Sequence, residues 1–191
     1  SYLSSNFNFS KNGFIDLKKA IFNQYKQIGI DPNKVIFTDK SLENFLYIDL
    51  LSIIFPKAKF IYCKRNYVAN LLGILKVFLP NLLWCHSLEK IIKFMNLYKD
   101  KLTEITSEKK INIKIVDLED FSNNPLKNAQ DLFKFLGIKW NKNVLNFNTK
   151  KKLIIKTVSN IQARNKITKH DLNYLKDYIP ILEKYGKTKL F

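Results

Sequence analysis

The chain has 191 residues, 46% hydrophobic and 26% charged, which excludes a disordered or collagen-like chain and allows a core without disulfides. Its net charge of +17 favours an anionic ligand such as nucleic acid, an acidic membrane surface, phosphate or sulfate. The two cysteines and two histidines give neither a disulfide framework nor the spacing of a metal site, so we expect no metal.

Hydrophobic periodicity and the positions of capping residues, Pro and Gly predict the helices in chain order. They are expected at 16–28, 42–54, 67–78, 86–107, 125–136 and 170–185. Ser41 is the expected cap of the second helix, and Gly137 is expected to stop the fifth. Apolar runs between the helices predict strands at 34–38, 58–63 and 111–117.

Strands that alternate with helices indicate an α/β fold with a parallel sheet, and such sheets bind ligands beyond the carboxyl ends of their strands. The expected strand ends are followed by residues 38–40, 64–66 and 118–120, and the first two of these segments carry cations. Basic side chains at two strand ends suit a phosphate or sulfate ligand. Arg65 and Arg164 are the only arginines among 33 basic residues, which suggests that a planar fork of donors is needed there.

Four stretches of the sequence match an ordered set of motifs. Residues 37–65 follow the pattern T-D-K-x-P-x-N-F, helix, F-P-x-A-K, strand, Arg. Residues 118–125 are close to Y-E-D-L with a following N-P, although Leu118 stands at the tyrosine position; residues 132–140 are close to L-x-x-F-L-G-x-x-W, and 157–164 to T-x-S-x-x-Q-V-R. The sequence therefore resembles sulfotransferases over roughly residues 30–185, in particular the bacterial tetratricopeptide-linked and protein-tyrosine sulfotransferases.

The resemblance implies transfer of a sulfuryl group from 3′-phosphoadenosine 5′-phosphosulfate to a hydroxyl acceptor, with protein tyrosine as one possibility. It implies catalytic roles for Lys40 and Ser159 near the transferred group. Arg65 would hold the 3′-phosphate of the nucleotide, which a bidentate guanidinium suits. The alternative for Lys40 is one more solvated lysine, and for Arg65 a surface ion pair with a carboxylate.

Further cofactor-binding positions follow from the same resemblance. Gly73 stands eight residues after Arg65, where the family usually has a serine that also contacts the 3′-phosphate. Arg164 would lie on the phosphate or adenine side of the nucleotide, and Gln162 matches the motif beside it. We therefore expect Lys40, Arg65, Ser159 and Arg164 to meet in one cleft.

The resemblance implies a P-loop-like three-layer sandwich, in which a P-R-S-G-T-type loop after the first strand binds the 5′-phosphosulfate. None of the five glycines lies in such a loop. With no initiator Met either, we expect residues 1–191 to be one partial sulfotransferase domain that lacks its N-terminal phosphosulfate-loop unit. A non-catalytic, degenerate homologue is the alternative.

A different class of function is a basic nucleic-acid-binding module. The charge favours it, but the only dense basic run is Lys150–Lys152 and no nucleic-acid motif is present, so we expect no nucleic-acid partner. The apolar stretch Val68–Trp84 is too interrupted for a membrane span, and we expect a cytoplasmic protein. The acceptor, the general base and the oligomeric state stay open.

Overall fold

In a computed structural model of the chain, residues 11–33, 35–77, 79–108, 111–149, 165–169 and 171–186 are described. They combine helices with a small parallel sheet, as an α/β fold requires. The chain forms two compact units. The first unit comprises the chain up to Ala58 together with Leu97–Asn112, and the second comprises Lys59–Asn96 together with the chain from Ile113. One sulfotransferase domain over the whole chain stays a prediction.

Most of the described α-helices lie close to predicted positions, but the short helix Leu118–Asn123 was not predicted. The α-helices are α1 (Lys11–Gln27), α2 (Ile48–Ile54), α3 (Tyr67–Leu75), α4 (Leu88–Glu108), α5 (Leu118–Asn123), α6 (Pro125–Leu136) and α7 (Leu175–Gly186). Short 3-10 helices cover Asn44–Tyr47, Leu83–His86 and Lys142–Thr149, and the strands are β1 (Phe60–Lys64) and β2 (Ile113–Asp117). The first helix begins earlier than predicted and the last helix later. The predicted helix 42–54 is a 3-10 turn followed by α2, and the predicted cap at Ser41 is wrong: its hydroxyl accepts from the backbone N–H of Glu43 at 3.2 Å, and neither helix has a side-chain cap.

The strand predicted at 34–38 is wrong for the residues that the structure describes. Residues 35–38 form no strand, and the side chains of Val35 and Ile36 are 52% and 88% exposed. An apolar run becomes a strand only where a neighbouring strand offers its backbone groups. Among the described residues, only β1 and β2 pair with each other. The expectation of at least three parallel strands is therefore not met.

Aromatic contacts and a group of ion pairs contribute to the packing of the first unit. The rings of Phe22 and Phe55 stack with centroids 5.8 Å apart, and the buried Phe45 meets Tyr98 edge-on at 4.4 Å. Lys101, with only 16% of its side chain exposed, pairs with Asp49 at 2.8 Å and with Glu104 at 3.2 Å. Burial by itself would lower the pKa of Lys101, but these two carboxylates raise it and keep the ammonium charged.

The second unit is built on the parallel pair of strands. The register aligns Phe60 with Ile113 at one end and Lys64 with Asp117 at the other. Its core is formed by α3, the first half of α4, and α7, through the buried residues Val68, Ala69, Leu71, Leu72, Ile91, Ile92, Met95, Leu175 and Leu182. Because β1 and β2 are parallel, their carboxyl ends lie at the same edge of the sheet. The turns into α3 and α5 follow at that edge.

Two local signals determine where the helices after β2 begin and end. The Asp117 carboxylate accepts hydrogen bonds from the backbone N–H groups of Glu119 and Asp120, each at 3.1 Å, and so caps α5. Pro125 begins α6, and Gly137 ends it in the left-handed conformation with φ 69°. The predicted stop at Gly137 is confirmed.

The Asp117 cap predicts a pH-dependent contribution to stability. Partial burial by itself would raise the pKa of Asp117, but the Asp120 backbone N–H and the Lys64 ammonium outweigh it, so the pKa lies below its ordinary value. A lowered pKa means that the stabilisation is present above the unfolded-state pKa and is lost as the pH falls through the folded-state value. We expect Asp117→Ala to lower the free energy of unfolding by about 1 kcal/mol near neutral pH, measured by urea denaturation.

The difference between Asp117→Ala and the unsubstituted chain should shrink in acid. The exposed Asp100 in α4 provides the control, because Asp100→Ala removes the same charge from a position that caps no helix. A difference in unfolding free energy that stays constant from neutral to acidic pH would contradict the assignment of the carboxylate as the cap.

Candidate functional site

The edge of the sheet where β1 and β2 end carries two cations in succession. Lys64, the last residue of β1, lies opposite Asp117 and pairs with it, with Nζ and Oδ2 3.2 Å apart. Its charge is therefore compensated within the sheet. Arg65 follows directly and is the next candidate for an anion.

The turn from β1 into α3 is held by an acidic side chain from the turn after β2. Both oxygens of the Glu119 carboxylate accept from the backbone N–H of Asn66, at 3.1 and 3.2 Å. The Asn66 side chain in turn accepts from the backbone N–H of Ala69 at 3.0 Å and caps α3. The partner of Glu119 is therefore a backbone amide and not a basic side chain. Asparagine directly before an apolar helix was the signal for the cap.

Arg65 lies against α3 and has an unsatisfied donor. Its Nε atom is buried and has no hydrogen-bond partner among the described residues. A Cβ atom added to Gly73 would lie 3.3 Å from Nη1 of Arg65, so the guanidinium occupies the space left by the glycine. Within the described part of the chain Arg65 pairs with no carboxylate, and the alternative of a surface ion pair finds no support there. A partly buried cation without a partner is costly unless an anion binds.

Besides the charged Lys64, β1 carries two titratable side chains, Tyr62 and Cys63, which stay neutral near neutral pH. Burial, with a smaller effect of the Asp117 carboxylate, raises the pKa of Tyr62, and burial raises the pKa of the Cys63 thiol. Neither side chain is a ready nucleophile or an added negative charge. Among the described residues at this edge, Arg65 is therefore the candidate for binding an anion.

Lys40 lies in the first unit and Arg65 in the second. The Lys40 side chain is exposed and, among the described residues, has no hydrogen-bonding or ionic partner. Lys40 does not follow a strand, so its predicted position at a strand end is wrong. Its place in the motif is unaffected, because that rests on the sequence alone.

The remaining predicted site residues lie outside the described residues: Ser159, Gln162 and Arg164. The structure thus brings Arg65 and Gly73 together, and the meeting of Lys40, Arg65, Ser159 and Arg164 in one cleft stays a prediction. His86 is exposed, and its Nε2 lies 3.1 Å from the carbonyl oxygen of Leu79.

A family model matches more than half of the chain. The model described as "Sulfotransferase family" matches residues 11–142. The chain belongs to the sulfotransferase family. The matched residues of this sulfotransferase include Lys40, Arg65 and Gly73 and end before Ser159. No curated protein matches the chain.

Within the described ranges, every helix is too short or too polar to traverse a lipid bilayer. In the same ranges, no three His, Cys, Asp or Glu side chains are grouped as ligands of a metal ion.

Replacement of Glu119 tests whether its carboxylate holds the turn after β1. We expect Glu119→Ala to lower the free energy of unfolding by about 1.5 kcal/mol, because hydrogen bonds to charged groups contribute on this scale. Glu119→Gln is the matched control: it keeps one acceptor oxygen and should lose less. Hydrogen exchange gives the local readout, since the Asn66 amide should exchange faster in Glu119→Ala. Equal exchange of that amide in all three proteins would contradict this role.

Proposed function

We propose that this sulfotransferase takes its sulfuryl group from 3′-phosphoadenosine 5′-phosphosulfate, and that Arg65 binds the 3′-phosphate of this donor. The observation that carries the proposal is the partly buried guanidinium beside Gly73, whose Nε lacks a partner among the described residues. A phosphate dianion offers several acceptor oxygens and two negative charges, which suit a planar fork of donors. The residues present therefore fit the nucleotide.

The donor, when bound, supplies an activated sulfuryl group and a leaving phosphate. Arg65 orients the nucleotide through its 3′-phosphate, and the Asn66 cap with the Glu119 carboxylate keeps the turn that carries Arg65 in place. Lys40 contributes a positive charge near the transferred group, and such charge compensation at a developing anion is a large part of group transfer. We propose Ser159 as a second residue near the sulfate, and Gln162 and Arg164 as further contacts to the nucleotide.

The proposal includes a P-loop-like three-layer architecture and a hydroxyl acceptor, with protein tyrosine as one candidate. Within these 191 residues no segment matches the loop that holds the 5′-phosphosulfate. Such a loop supplies several backbone N–H donors at a helix N-terminus. Since the loss of one transition-state donor lowers the rate by about 10²–10³, we propose that this chain alone turns over slowly and that its longer parent is the efficient enzyme.

Binding of adenosine 3′,5′-bisphosphate tests the assignment of Arg65. We expect Arg65→Ala to weaken binding about 10- to 100-fold, the range that a charged hydrogen-bonding group contributes, measured by isothermal titration calorimetry. Lys127→Ala removes an exposed cation from α6 and should leave the affinity unchanged. Unchanged affinity in Arg65→Ala would overturn the assignment. Weak nucleotide binding combined with DNA binding that falls steeply with salt would favour the basic nucleic-acid module instead.

A pair of substitutions at Gly73 locates the phosphate more closely. Both Gly73→Ser and Gly73→Ala add a Cβ that lies 3.3 Å from Arg65 Nη1, and the flexible end of the arginine must shift slightly in each. They differ only in the hydroxyl. If the 3′-phosphate lies beside Gly73, Gly73→Ser should bind the bisphosphate about five- to tenfold more tightly than Gly73→Ala, because one hydrogen bond is added. Equal affinities would place the phosphate elsewhere.

Lys40 is tested by comparing turnover with binding. In the full-length protein, Lys40→Ala should lower kcat by about 10²-fold, as expected for a charge that acts mainly in the transition state. The affinity for adenosine 3′,5′-bisphosphate should change much less, because that ligand carries no sulfuryl group. A loss confined to nucleotide affinity, with kcat unchanged, would contradict a catalytic role for Lys40.

A further inference from the structure

The segment that carries Lys40 is held in place without a strand. Residues 35–40 have an irregular conformation, and the described chain offers them no partner strand. Instead, the ring of Phe37 packs on the ring of Tyr25 in α1, with centroids 4.7 Å apart and planes inclined by 57°. A side chain from a neighbouring helix thus takes over part of the role that a paired strand would have had.

Tyr25 makes a second contact to the same segment. Its hydroxyl donates a hydrogen bond to Oδ2 of Asp39, and Nδ2 of Asn44 donates to Oδ1 of Asp39 at 3.4 Å. Burial, together with the hydrogen bond to Asp39 and its negative charge, raises the pKa of Tyr25 to about 12. The phenol therefore stays protonated and remains a donor throughout the neutral range.

Because of these contacts, Asp39 does not form an ion pair with Lys40. Both oxygens of the Asp39 carboxylate face neutral donors, one from α1 and one from the 3-10 turn Asn44–Tyr47. Asp39 is not used as an ionic partner of Lys40, and no other described carboxylate pairs with that lysine. The segment therefore presents an exposed ammonium whose backbone is fixed through the side chain immediately before it.

We propose that Tyr25 is a positioning residue for Lys40, acting through Asp39 to hold the lysine in one place at the sulfuryl-transfer site. The inference rests on the proposed function, because it assumes that Lys40 acts on the transferred group. A misplacement of about 1 Å in a reacting group lowers rates by up to about 10²-fold. The loss of a hydrogen bond to the residue next to Lys40 can therefore change the reaction rate by displacing the lysine.

The first experiment measures the segment itself, without nucleotide. Tyr25→Phe removes the hydroxyl and keeps the ring that packs on Phe37, so the fold of α1 should be retained. Cleavage by trypsin after Lys40, followed by mass spectrometry, should become faster in Tyr25→Phe, because a less firmly held segment enters a protease more readily. Tyr47→Phe is the matched control, because Tyr47 lies in the same unit, is 47% exposed, and has no described hydrogen-bond partner. Unchanged cleavage after Lys40 in Tyr25→Phe would overturn the proposal.

The second experiment separates positioning from general stability in the full-length enzyme. Tyr25→Phe should lower kcat about tenfold while the affinity for adenosine 3′,5′-bisphosphate stays within about twofold, since the hydroxyl acts through Lys40 alone. Asp39→Ala should lower kcat at least as much, and Asp39→Asn, which keeps an acceptor oxygen, should restore part of the loss. Adding Tyr25→Phe to Asp39→Ala should cost little more, because the shared hydrogen bond is already absent.

The outcomes distinguish this inference from the function on which it rests. If the unsubstituted enzyme transfers sulfate and Tyr25→Phe has normal kcat, the inference is overturned and the proposed function stands. If Tyr25→Phe lowers kcat and the effects of Tyr25→Phe and Asp39→Ala add fully, Tyr25 does not act through Asp39 and the inference is overturned as well. If the unsubstituted full-length protein transfers no sulfate, the proposed function falls, and the role of Lys40 with it.

Discussion

The second unit depends on one backbone amide that is held by a carboxylate from a distant part of the chain. The N–H group of Asn66 donates to both oxygens of Glu119, and this joins the turn after β1 to the turn after β2. The parallel register makes the contact possible, since it brings the ends of the two strands to the same level. Each turn also caps its own helix, so that strand pairing, helix starts and the position of Arg65 are coupled.

The charged side chains at this edge differ in whether the described chain gives them a partner. Lys64 is compensated by Asp117, and Glu119 is taken up by a backbone amide, which leaves Arg65 as the cation without a described partner. The rarity of arginine in this chain already singled out Arg65. The structure adds that the Arg65 guanidinium lies half-buried beside Gly73 and that its Nε donor has no partner among the described residues.

In the first unit, side-chain contacts hold the segment that carries Lys40. The segment 35–40 lacks a strand partner among the described residues, and Tyr25 and Asn44 hold it through side-chain contacts. Such contacts order a short segment more weakly than a ladder of backbone hydrogen bonds does. The Lys40 side chain at the end of this segment stays exposed.

Sequence alone predicted the amphipathic helices, the proline start and glycine stop of α6, two strands close to Phe60–Lys64 and Ile113–Asp117, and the family itself. It failed at 34–38, because an apolar run does not contain the neighbour that makes it a strand. Only the tertiary structure decided the long-range partners: Asn66 for Glu119, Lys64 for Asp117, and Tyr25 for Asp39. The residues of each pair are well separated in the chain, so their contact depends on strand register and helix packing, which no local pattern records.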